Sequence, residues 1–101
     1  MNEHTSDRRL IHFAKYEQPF DLTGVDLISL GGQSRDKVRD VVPGLLEPKQ
    51  MTKAWVRTEQ LESMTGEIAD EVHLFTNATQ GQFRLKRIFL REGHVTELQF
   101  G

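Results

Sequence analysis

The chain has no cysteine among its 101 residues. That absence removes disulfide staples, thiolate nucleophiles, iron–sulfur ligation and the usual structural zinc sites together. A domain this small without staples must be held by its core. Long apolar runs are also missing, and none approaches the length of a membrane span. Neither sign of charge dominates: 13 Lys and Arg oppose 15 Asp and Glu, for a net charge of −2. No global field therefore points to nucleic acid or to an anionic membrane. Residues 1–9 (MNEHTSDRR) contain no signal-peptide apolar segment, so a cytoplasmic location is expected. The sequon Asn77-Ala78-Thr79 has no meaning in such a chain. Repeats, linkers and low-complexity tracts are absent, as are zinc-ribbon, helix-turn-helix, Rossmann, phosphate-loop, hydrolase-elbow and kinase signatures.

What remains is ordinary globular material, 37% hydrophobic and 28% charged. It reads as a mobile tail over residues 1–9 and one α+β domain over residues 10–101. Leu10–Tyr16 (LIHFAKY) predicts a strand ended by Gln18-Pro19, and Val25–Leu30 (VDLISL) a second closed by Gly31-Gly32. Ser34 is placed as an N-cap for a helix from Arg35 to Val42, with Val38, Val41 and Val42 on one face and Pro43-Gly44 as its stop. Met51, Ala54, Trp55, Thr58, Leu61 and Met64 follow helical steps between Pro48 and Gly66, predicting a helix from about Lys49 to Thr65. The rival is a strand through Met51–Val56 followed by a short helix capped by Thr58. Glu71–Asn77, Gln82–Arg91 and His94–Phe100 predict a three-stranded C-terminal meander, turning at Ala78–Gly81 and at Glu92-Gly93. The expected architecture is a mainly antiparallel sheet in the order ββααβββ, with two helices packed on one face.

Those two turns fix a register, and alternation then sorts the meander into two sides. Leu90 is expected opposite Val95, Ile88 opposite Glu97, Leu85 opposite Phe100, Phe75 opposite Arg84 and Leu74 opposite Leu85. One side carries Val72, Leu74, Phe83, Leu85, Phe89, Leu98 and Phe100, an apolar core face to be covered by Met51, Trp55, Leu61 and Met64. Arg87 points into that face, so it needs a bulge, a peripheral position or a carboxylate partner in a buried ion pair. The other side carries His73, Phe75, Arg84, Lys86, Ile88, Leu90, Val95, Glu97 and Gln99, neither clean core nor clean solvent face. An outer face of that kind is either partly covered by the N-terminal strand or used for contact with a partner.

Charge is uneven along the chain: five acids (Glu59, Glu62, Glu67, Asp70, Glu71) without a base, then four bases (Arg84, Lys86, Arg87, Arg91) without an acid. Pairing across the meander, with Glu71 and Glu97 among the partners, is the plain reading. The strand–Gly31-Gly32–helix junction reads as a turn with a Ser cap, since no Lys follows the glycines. His4, His12, His73 and His94 show no metal-ligand spacing, and no catalytic residue, cofactor or metal site is assigned. A small non-catalytic binding protein is therefore expected, such as an accessory subunit, inhibitor, immunity-type or regulatory factor. It would use the outer sheet face on a protein partner or on itself, as a homodimer through Ile88, Leu90 and Val95. The alternatives are a single-stranded nucleic-acid binder using Phe75, Arg84 and Lys86, and a small enzyme whose polar groups converge only in three dimensions.

Overall fold

Strand β1 (Arg8–Tyr16) is the spine of the sheet, because its alternating side chains supply both cores. Ile11 and Phe13 face one side, Ala14 and Tyr16 the other. The computed structural model describes residues 8–65 and 69–101, with side chains described for 8–61 and 69–101. Of the expected N-terminal tail, Arg8 and Arg9 belong to β1 and residues 1–7 lie outside the described residues. Gly66 and Glu67 also lie outside them, as do the side chains of Glu62 and Met64.

The chain continues through β2 (Phe20–Asp21), a 3₁₀ turn (Leu27–Leu30), α1 (Arg35–Val41), β3 (Met51–Arg57) and α2 (Thr58–Thr65). It ends in the meander β4 (Glu71–Gln80), β5 (Phe83–Arg91) and β6 (His94–Phe100). Among the described residues these strands form one six-stranded sheet in the order β3-β1-β4-β5-β6, with β2 pairing β4 beyond the end of β1. The β1–β4 and β2–β4 pairings are parallel and the rest antiparallel. The α+β class, the mainly antiparallel sheet and the C-terminal meander are as the sequence leads one to expect.

Two local expectations are corrected. Val25–Leu30 is not a strand, because Leu27 and Leu30 are the buried residues of a 3₁₀ turn while Ile28 stands out in solvent. Spacing of i and i+3 matches that turn, in which such positions eclipse. Residues 51–65 are not one helix but β3 followed directly by α2, which inserts a third strand between the two helices. Thr52, Trp55 and Val56 favour the pleated form, and pairing with β1 from Arg8↔Arg57 to Ala14↔Met51 covers an edge that β1 would otherwise expose. Thr58 does not cap α2, since its buried Oγ1 has no hydrogen-bond partner. Ser34 does cap α1, its Oγ accepting from the Lys37 amide at 3.2 Å.

The meander's turns and bulges decide which face is core. β4 runs on to Gln80 and turns at Gly81-Gln82, not over Ala78–Gly81. Leu90↔Val95 and Leu85↔Phe100 pair as expected, whereas Ile88 lies opposite Leu98, Leu74 opposite Arg87 and Leu85 opposite Ala78. Bulges between Leu74 and Ala78 and between Leu85 and Arg87 break the simple alternation and swing Leu85 to the side of Ile88 and Leu90. That side is the larger core. The segment after β2 folds over it and buries Leu22, Leu27, Leu30, Val38, Leu45 and Leu46 against Tyr16, Phe75, Ile88, Leu90 and Val95. The opposite side holds a smaller cluster of Ile11, Leu61, Ala69, Val72 and Phe89. Thus α1, through Val38, and α2, through Leu61, lie on opposite faces of the sheet, which corrects the expectation that both pack on one face. Among the described residues no helix is long and apolar enough to cross a membrane.

Both central residues of the β5–β6 turn have positive φ, Glu92 at 52° and Gly93 at 78°, the geometry of a type I′ hairpin. Glycine adopts it freely and glutamate does not. Gly93→Ala is expected to lower stability by about 1 kcal/mol, and Glu92→Asn to raise it by about 0.5 kcal/mol, in urea unfolding.

Candidate functional site

Five of the residues expected on an exposed binding face are in the core. His73, Ile88 and Leu90 have no exposed surface, and Phe75 and Val95 almost none. The correction follows from the cover just described: the half-polar look of that face comes from His73, which has buried partners, and the apolar residues around it are core. Ile88, Leu90 and Val95 therefore offer no dimer surface, and Phe75 offers no face to a nucleobase, because Tyr16 stacks on it at 4.6 Å between ring centroids. Arg84 and Lys86 are exposed, Arg84 beside a shallow depression with Phe20, Asp21 and Asn77. Arg87 is also exposed, with its guanidinium donating to Gln99 Oε1 at 3.0 Å, so the bulge and not a buried ion pair resolves its position. The apolar stripe expected to cover the sheet is likewise corrected, since Trp55 is 63% exposed.

Two arrangements take the place of that face. The first is a buried polar chain. Glu71 and His73 are two residues apart on β4 and so share a face. Arg35, set at the start of α1 by the Ser34 cap and by its own amide bond to the Gly93 carbonyl (2.8 Å), donates to the Glu71 carboxylate. The other carboxylate oxygen lies 2.5 Å from His73 Nε2, and His73 Nδ1 lies 2.9 Å from the Tyr16 hydroxyl. A carboxylate only accepts, so Nε2 carries a proton toward it; Nδ1 and the Tyr16 hydroxyl, which can both donate and accept, share the next hydrogen bond, and each group has its partner. Burial pushes the Glu71 carboxyl up, but the His73 and Arg35 hydrogen bonds outweigh it and hold it down at about 2. Burial, reinforced by the Glu71 charge, raises the Tyr16 phenol above its ordinary value. The order carboxylate–imidazole–hydroxyl is that of an activated nucleophile. Here the imidazole of His73 is fully enclosed, with a partner on each ring nitrogen. The chain instead ties α1 to β4 and β1.

The second arrangement is exposed. Residues 8–11 of β1 begin before β4 does, so with β3 they form a two-stranded ribbon beyond the main sheet. α2 packs on one face of it through Leu61. The other face carries the opposed pairs Arg8↔Arg57, Leu10↔Trp55 and, where β4 joins, His12↔Lys53, and beyond them it runs into the larger core at Ala14. Leu10 is 38%, Met51 39% and Trp55 63% exposed. Arg57 pairs with Glu59, while Arg8 and Lys53 have no carboxylate partner among the described residues. An exposed apolar pair is thus flanked by Arg8 on one side and Lys53 on the other. Each residue type here was visible in the chain, but a helical reading of residues 51–57 scattered them over different faces.

Among the described residues no three His, Asp or Glu side chains come together to hold a metal ion. Compared with known proteins, the chain matches no family model, no curated protein and no solved structure.

The buried chain makes two predictions. Tyr16→Phe leaves His73 Nδ1 without its hydrogen-bond partner in the core and should cost about 1–3 kcal/mol in denaturant unfolding. The pH signs are opposite at its two ends. The depressed carboxyl of Glu71 contributes stability that is present above its ordinary value of 4.5 and lost as pH falls toward about 2. The raised phenol of Tyr16 contributes stability present below 10 and lost as pH rises further. Tyr16 is the sole tyrosine, so tyrosinate absorbance should be missing from the folded protein at pH 10 and appear together with loss of the circular dichroism signal.

Proposed function

We propose that the chain is a small non-catalytic binding protein that takes an anionic partner on the bare face of the β1–β3 ribbon. The observation that carries this reading is the exposed Leu10↔Trp55 pair set between Arg8↔Arg57 and His12↔Lys53. Arg8 and Lys53, one on each side of that pair, have no carboxylate partner among the described residues, and a bound anion would supply one to both. Exposed apolar area framed by one sign of charge also departs from an ordinary solvent face. The net charge of −2 makes the positive ribbon a local feature, so binding should be specific to this face and weakened by salt.

Trp55 is the only tryptophan, and it reports on the ribbon directly. Heparin, as a generic polyanion, should shift its emission, whereas polylysine should not. Lys53→Glu should weaken heparin binding at least about tenfold while leaving the melting temperature within a few degrees, since the site is on the surface. An unshifted Trp55 emission with saturating heparin, or equal affinity in the Lys53→Glu variant, would refute the reading.

A further inference from the structure

We infer that the anionic partner is single-stranded nucleic acid, with Trp55 as the stacking platform and Arg8, Lys53 and Arg57 as phosphate contacts. The inference rests on the binding reading above and narrows it. Binders of single strands without sequence preference join a positive track for the backbone to an aromatic ring on which an unpaired base stacks. The ribbon has both elements within one face. Arg8 and Arg57 lie two positions from Leu10 and Trp55 along their strands, and His12 and Lys53 lie two positions beyond on the other side. From the Arg8↔Arg57 pair to the His12↔Lys53 pair the ribbon spans about 13 Å, so cations flank the ring along the strand direction in which an extended backbone would run. Trp55, more than half exposed, has open surface for a base.

Other anionic partners fit less well. The core of a protein interface is depleted of charge, whereas here basic pairs flank the exposed ring on both sides. An anionic bilayer rewards a broad apolar face that can enter the headgroup region. This ribbon is two strands wide and presents one aromatic ring. A duplex keeps its bases stacked on one another, and so offers no base face to Trp55.

The test is fluorescence anisotropy of a labelled deoxythymidine oligonucleotide with the intact chain. A duplex of equal length and unlabelled heparin serve as competitors, at several salt concentrations. Three phosphate contacts predict that log K falls with log salt at a slope of about −2 for a single strand. Arg8→Ala or Lys53→Ala should reduce that slope by about 0.7. Trp55→Ala should weaken binding about 5- to 150-fold at unchanged slope, and Trp55→Phe should recover much of the loss. Circular dichroism melting of each variant separates lost contact from lost fold. Binding to heparin without binding to the oligonucleotide overturns this inference and leaves the broader binding reading standing. Failure with both removes both. Duplex competing as well as single strand, or Trp55→Ala binding like the parent, overturns the stacking role and with it the inference.

Discussion

The carboxylate of Glu71 is the group on which the architecture turns. It opens β4, the strand that joins β1 to the meander, and its two oxygens are taken by groups from elsewhere in the fold. One holds Arg35 and so the start of α1; the other holds His73, which holds Tyr16 on β1. A carboxylate so placed is tolerable only because each oxygen has a donor, and the His73 ring is tolerable only because both nitrogens are engaged. Removing one member strands the next. The apolar core around this chain supplies the bulk of the stabilisation, while the chain fixes how α1 sits on the sheet.

The same network accounts for what could and could not be read from the sequence. β1, the Ser34-capped helix and the three meander strands were legible, because each is signalled within its own residues by alternation, a cap or a turn. The two-residue turn at Glu92-Gly93 was legible for the same reason. The exchange of inner and outer faces was not. It depends on two bulges, at Leu74–Ala78 and Leu85–Arg87, and on a cover supplied by residues 22–46, most of it irregular. A histidine and a phenylalanine beside Arg84 and Lys86 look like half of a binding face until Tyr16, far away in sequence, stacks on one and hydrogen-bonds to the other.

Residues 51–57 show the opposite failure. Steps of three and four between Met51, Ala54, Trp55 and Thr58 satisfied a helical template, and the tertiary need of β1 for a partner overrode it. Reading the segment as a strand is what gathers Trp55, Lys53 and Arg57 with Leu10 and Arg8. The rival reading, a strand followed by a short helix, is the one the structure has, without the Thr58 cap.

The sheet's shape has a further consequence in local stability. Where β1 is flanked by both β3 and β4, its backbone is bonded on both sides and roofed by a core. Ahead of residue 12 it has β3 alone as a strand neighbour, α2 on one face and opposed arginines at its tip. Opening free energy should therefore fall along β1 from Tyr16 toward Arg8, with the ribbon exchanging its amide hydrogens ahead of the meander. Order is anchored at Glu71 and thins outward, so the ribbon should be the first part of β1 to open.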